Sequence, residues 1–229
     1  MQYDMFRIAF RNRSIFDNRV HNNMGNAFGL DIDYRELVEV AYDIVGVEPG
    51  NFDMNIQIPR INIDDERIHA INENIRNTYI PEIIDFGTDA SIDVTLNISY
   101  VAYINEGVLS VVINSLLTEG VGSPQRLIIR TINIDLDTFE ILDLEEVLRR
   151  QGINIEELQA RIDREIEDVA RGQEGLDGED VSVFLRNPND LMYRVENINN
   201  FFVGEEGHLF IVFSYGNSAD TNMFDLVVI

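Results

Sequence analysis

Alternation of apolar and polar residues dominates the middle of this chain. Ile92, Val94, Leu96, Ile98, Tyr100, Ala102 and Ile104 interleave with Asp93, Thr95, Asn97 and Ser99. A period of two puts the first set on a buried face of a strand and the second on a wet face. Asn105-Glu106-Gly107 reads as a hairpin turn. Val108–Leu117 is almost continuously apolar, as in an interior strand. In Arg126–Leu136, a third strand, Leu127, Ile129, Thr131 and Asn133 share one side, and Ile128, Arg130, Ile132 and Ile134 the other. Asp135–Thr138 turns the chain into a brief return strand, Glu140–Leu142.

Helical spacing takes over on both flanks. Over Asp64–Tyr79, Ile68, Ile71, Ile75 and Tyr79 recur on one face, Asp64 or Asp65 caps the start, and Pro81 follows near the end. Asp143 opens a helix through Arg149 that Gly152 ends. Asn154 and Glu157 form a capping box for another, with Ile155, Leu158, Ile162, Ile166 and Val169 as its buried stripe. Nearer the start, Asp33–Gly46 reads as a short helix, with Leu37, Val40, Ala41 and Ile44 on one face. Pro49-Gly50 marks a turn, and Met54–Ile58 is a short strand stopped by Pro59. Leu191–Val195 is a strand or turn. Phe201–Val203, His208–Tyr215 and Asn222–Ile229 close the chain as a meander, with a turn at Glu205-Glu206-Gly207. This order predicts an α+β fold, a largely antiparallel sheet packed against two or three helices. Residues 1–50 read as an N-terminal extension with one short helix, and 51–229 as the α+β domain.

Composition narrows the chemistry. At 229 residues the chain buries enough surface to fold without staples. Cysteine is absent, which excludes disulfides, thiol nucleophiles and thiolate metal sites. Lysine is absent too: all 17 basic residues are arginine, so Schiff-base chemistry and the lysine-bearing phosphate loop are excluded. The formal net charge of −24 repels nucleic acid and anionic membrane, and favours a cationic protein, a cationic polymer or divalent metal. Solubility alone, or a saline or alkaline habitat, accounts for the same acidity. No run reaches a membrane span, and Arg7, Arg11 and Arg13 break any secretory pattern at the start. The chain is therefore either cytoplasmic or an ectodomain of a longer parent.

No motif carries catalysis. Gly120-Val121-Gly122-Ser123-Pro124-Gln125 begins like a dinucleotide loop but has Gln125 in place of the third glycine, and a strand follows, so it reads as a turn. Asn133, Asp135 and Asp137 have calcium-ligand spacing, yet Thr138 and Leu144 occupy the glycine and glutamate positions of that loop. Aspartates holding a turn are the expectation. Asp177, Glu179 and Asp180, in the acidic stretch Gly172–Glu179, could take a surface calcium or stay solvated. His21, His69 and His208 lie far apart, with no zinc spacing. No cofactor is expected. Recognition by loops on a rigid sheet points to Thr118–Gln125 and to Gly172–Asp180. The candidate ligand-binding residues are Glu119, Gln125, Arg126, Asp177, Glu179 and Asp180.

Four stretches, Ile56–Ile75, Val108–Leu117, Arg130–Leu148 and Phe201–Ile229, together resemble the DUF3298/DUF4163 module of Gram-positive bacteria. That module occurs in RsiV-type anti-sigma factors and beside the catalytic domain of PdaC-like polysaccharide deacetylases. The resemblance spans about residues 54–229 and implies an extracytoplasmic α+β domain without an active site of its own. In the RsiV branch it implies binding of lysozyme, a cationic muramidase. Two departures stand out: Glu119-Gly120-Val121-Gly122 replaces the family's Gly-Gly-Ala-His stretch, and Thr138-Phe139 replaces a Thr-Gly pair. The expected function is a non-enzymatic cell-envelope binding or sensing domain, with a cationic protein or peptidoglycan as partner. The alternatives are a wall hydrolase built on a carboxylate pair and an accessory carbohydrate-binding module.

Overall fold

A computed structural model describes residues 20–22, 37–48, 52–88, 93–120, 122–173, 184–219 and 221–229. Among these, nine strands and three α-helices form an α+β fold. The large sheet runs in the order β2 (Val38–Glu48), β3 (Phe52–Ile61), β4 (Val94–Asn105), β5 (Val108–Glu119) and β6 (Arg126–Asp135), with β1 (Val20–Asn22) also paired to β4. The β2–β3, β4–β5 and β5–β6 pairings are antiparallel; β3 and β1 pair with β4 in parallel. Helix α1 (Glu66–Thr88) makes the crossover from β3 to its parallel neighbour β4. A second sheet holds β7 (Phe201–Val203), β8 (Leu209–Ser214) and β9 (Phe224–Val228). Helices α2 (Leu144–Gln151) and α3 (Ile155–Gly172) cover its outer face.

The layers follow from which face each strand presents. Ile68, Ile71, Ile75 and Tyr79 of α1 pack on Leu96, Ile98, Tyr100, Val111 and Ile113 of the large sheet. Each such isoleucine stabilises the fold by roughly 1.5–3 kcal/mol relative to exposure. On the opposite face, Val101, Tyr103, Val112 and Ile129 meet Phe202 and Val212 of the small sheet. That second contact corrects the expectation of one wet face along β4. Alternation holds from Val94 to Tyr100, but Tyr100–Asn105 is buried throughout because the small sheet covers its far side.

Polar side chains join the two sheets, so apparently wet positions lie inside. Ser110 donates to Asn133 Oδ1 at 2.7 Å and accepts from the Val203 N–H at 3.0 Å. Asn133 donates to the Phe201 carbonyl at 2.8 Å, and the Phe201 N–H donates to the Thr131 hydroxyl at 3.0 Å. A buried polar group is tolerable when it is satisfied in this way.

Other expectations divide. Asp65 caps α1 by accepting from the Arg67 N–H at 2.9 Å. Asp143 and Asn154 cap α2 and α3, and Gly152 ends α2 at φ 68°, a left-handed conformation that suits glycine. Ile155, expected in the buried stripe of α3, is 49% exposed, since it lies in the first turn beyond the reach of the sheet. Helix α1 does not stop near Pro81 but continues to Thr88. Proline removes one helical hydrogen bond, a loss that a long helix with a buried stripe outweighs.

The helix expected over Asp33–Gly46 is a strand where it is described, Val38–Glu48. Its antiparallel register with β3 breaks between Val40 and Tyr42. Pro59, expected to stop β3, pairs with Val40 at that irregularity, one of the places a strand accepts proline. The return strand at Glu140–Leu142 is a single bridge between Ile134 and Ile141. Leu191–Val195 contributes two short 3-10 turns, Leu191–Tyr193 and Val195–Asn197.

Candidate functional site

Turns from four parts of the chain meet at one end of the large sheet. Glu106 and Gly107, both at positive φ, reverse β4 into β5, and the Leu136 N–H beyond β6 donates to the Gly107 carbonyl at 2.8 Å. Asn105 donates to the Gly204 carbonyl at 3.3 Å, bringing the β7–β8 turn alongside. The start of α1 joins through Arg67, whose guanidinium lies 5.7 Å from the Phe139 ring centroid. Phe139 holds φ 59°, a conformation that glycine would adopt more freely.

The tips of these turns are acidic. Asp64, Glu66, Glu106, Asp137, Glu140 and Glu206 are exposed there. The nearby arginines are already engaged: Arg67 with Asp65, Arg149 with Glu146, and Arg150 with both Glu146 and Asp135. Asp135 also accepts from the N–H groups of Asp137 and Thr138, at 2.7 and 2.9 Å, so its carboxylate holds the turn as its spacing suggested.

The electrostatics fit those pairings. Burial alone would raise Asp135, but Arg150 and the two N–H donors hold its carboxyl below the usual range. Hydrogen bonds from Arg149 and then Arg150 bring Glu146 down to about 2. Such a depressed carboxyl contributes stability above its ordinary value near 4.5, and that contribution is lost as pH falls through about 2. A carboxyl-carbon NMR titration of Glu146 is expected to show a midpoint near 2. The midpoint should return toward the ordinary range in the R149A/R150A double variant; an ordinary midpoint in the unaltered chain would refute the pairing.

A groove of about 620 Å³ lies between α1 and the β2–β3 ribbon, and adjoins the acidic end where His69 in its wall comes within 3.5 Å of Asp64. His69, Asn72, Glu73 and Arg76 form its helical wall, spaced as one stripe of α1. Glu39 and Arg60 face each other across β2 and β3, and Val40 and Pro59 line the apolar part. Asn72 is committed to the fold: its amide accepts from the Ile61 N–H and donates to the Ile61 carbonyl, both at 2.8 Å.

The residues singled out from sequence do not gather. Glu119 and Gln125 are exposed at the other end of the sheet from the acidic turns. The length of β5 separates the ends, about 36 Å at strand rise. Arg126 is half-buried, its Nε donating to the Gly216 carbonyl at 2.6 Å. Asp177, Glu179 and Asp180 lie outside the described residues. Among the described residues, no three His, Asp or Glu side chains converge as metal ligands, and no helix is long and apolar enough to cross a membrane. The groove residues were missed because β2, one of its walls, carries helical spacing.

A polar cluster under α3 has a different character. Arg186 makes two hydrogen bonds to Asp225, at 2.9 and 2.8 Å, and lies 4.9 Å from the Tyr215 ring centroid. The Tyr215 hydroxyl donates to Asp225 and sits 2.8 Å from that of Tyr193. Burial, followed by the charge of Asp225, pushes the Tyr215 hydroxyl far up, which keeps it neutral. Arg186 is almost wholly enclosed, so this cluster serves the fold.

The class that these layers define is α+β: a mixed sheet faced by a helix on one side and by a small helix-covered sheet on the other. The chain is similar to the crystal structure of a DUF3298 family protein from Pseudomonas aeruginosa PAO1. Identity is 14%, the match covers 83% of this chain and 85% of that one, and the TM-score is 0.47. No family model and no curated protein matches the chain.

Proposed function

We propose that this chain is a non-enzymatic binding or sensing domain of the bacterial cell envelope, and that it recognises a cationic protein of the lysozyme class. The observation that carries the reading is the convergence of exposed carboxylates from separate turns on one end of the sheet. Charges of one sign on neighbouring turns reinforce each other's field and steer an oppositely charged partner. The displaced carboxyls Asp65, Asp135 and Glu146 all move downward. Each is held charged by an arginine partner or N–H donors. The envelope setting rests on the family resemblance.

Calorimetric titration with a basic muramidase tests the proposal. Binding is expected at low ionic strength, weakened about tenfold or more by physiological salt, because exposed charges are screened. The E106Q/D137N/E140Q/E206Q variant should lose most of the low-salt affinity. Absence of binding at low salt would overturn the proposal, as would turnover of a wall polymer by the purified chain.

A further inference from the structure

We infer that the groove between α1 and the β2–β3 ribbon is a second site, one that takes a short peptide with free termini. This goes beyond the proposed function and uses none of its residues. The volume of about 620 Å³ falls within the range of small-ligand sites and exceeds what one amino acid fills.

The lining decides the ligand class. Arg60 and Glu39 face each other at 3.7 Å, beyond hydrogen-bond length, with side chains 53% and 46% exposed. Glu39 is thus an ion-pair partner of Arg60, at a distance that leaves the guanidinium N–H groups without a hydrogen bond to it. Its fork is therefore available to a carboxylate. Across the groove, Glu73 is 62% exposed and holds Arg76 through one of its oxygens, at 3.1 Å. The other oxygen suits an ammonium.

Each wall thus presents both signs of charge, so a simple anion would meet Glu39 and Glu73 as well as the arginines. A sugar would want neutral amides, and the one in the lining, Asn72, is spent on Ile61. Between the walls, Val40 is 40% exposed and Pro59 lies beside it, an apolar strip for a small side chain. A carboxylate on Arg60, an ammonium on Glu73 and an apolar body on Val40 describe a short zwitterionic peptide.

The test is an NMR titration of the full chain with alanyl-alanine, free alanine, and alanyl-alanine blocked at both ends. Alanyl-alanine should shift the amides of Val40, Ala41, Arg60 and Arg76. Arg60→Ala should weaken it about tenfold, the scale of one lost charge-assisted hydrogen bond. Both residues of the Arg60–Glu39 pair are half exposed, so R60A and E39Q should keep the dispersion of the folded spectrum. The blocked peptide should bind no better than R60A binds the free one. Equal affinity for free alanine would overturn the peptide assignment. Equal affinity for the blocked peptide, or unchanged binding by R60A, would overturn the site. The quadruple variant of the acidic turns should bind alanyl-alanine as the unaltered chain does, so failure of either reading leaves the other testable.

Discussion

Gly216→Ala is expected to destabilise this protein by about 3–5 kcal/mol, through backbone overlap and the hydrogen bonds it breaks. A Cβ at Gly216 would stand 1.9 Å from the Leu127 carbonyl oxygen and 2.5 Å from its carbon. Neither atom can give way, because both belong to β6. The segment around Gly216 takes the place of a further strand along the edge of β6. Leu127 donates to the Thr221 carbonyl at 3.0 Å, and Ser214 donates to the Leu127 carbonyl at 2.8 Å. The Asn217 amide accepts from the Ile129 N–H at 3.2 Å. Adding one methyl group lifts this segment and reopens the edge, a liability in any sheet. Thermal denaturation should show a fall of about 10 °C for a chain of this size. Asn217→Ala removes only the side chain's two hydrogen bonds with Ile129 and should cost about 1–2 kcal/mol. A G216A melting point equal to that of the unaltered chain would show that the segment does not lie on β6.

The second large effect concerns Arg186. Arg186→Met should cost about 3–5 kcal/mol, because it leaves Asp225 enclosed without its partner. The arginine also donates to the Phe184 carbonyl at 2.8 Å, and its own N–H donates to Gln173 at 2.9 Å. Its loss therefore loosens the contact between the end of α3 and β9. Removing both charges is expected to be milder than removing one, since a matched apolar pair carries no desolvation penalty. Chemical denaturation of R186M, D225L and the double variant gives the coupling directly. A double variant as damaged as the sum of the two singles would show that Arg186 and Asp225 act independently.

Much of this fold is written in local pattern. The β4–β5 hairpin, α2 and α3 with their caps, and the buried stripe of α1 each arise from neighbours within a few residues, so periodicity and capping reveal them. Strand β2 was not legible in that way. Leu37, Val40, Ala41 and Ile44 match a helical face, while Val38, Val40, Val45 and Val47 carry the β-branched content of a strand. The register shift after Val40 breaks the alternation that would have decided between them. With β2 read as a helix, the groove had only one wall.

The contact between the two sheets was hidden for another reason. Ser110 and Asn133 look like solvent-facing residues, and only partners on distant strands show them to be buried and bonded. Arg186 and Asp225 are 39 residues apart, and nothing local marks them as a pair. The acidic turns were visible one at a time, but their convergence depends on the topology. Without that topology, the rule that loops on a rigid sheet carry recognition points instead to Thr118–Gln125, at the opposite end of the sheet, and to Gly172–Asp180.

Hydrogen exchange of this chain, alone and saturated with a basic muramidase at low ionic strength, tests the central claim most directly. Recognition by the acidic end requires slowed exchange at residues 64–66, 105–107, 137–140 and 205–207, with Thr118–Gln125 unchanged. Protection confined to Thr118–Gln125, or no protection anywhere under saturating partner, would contradict it.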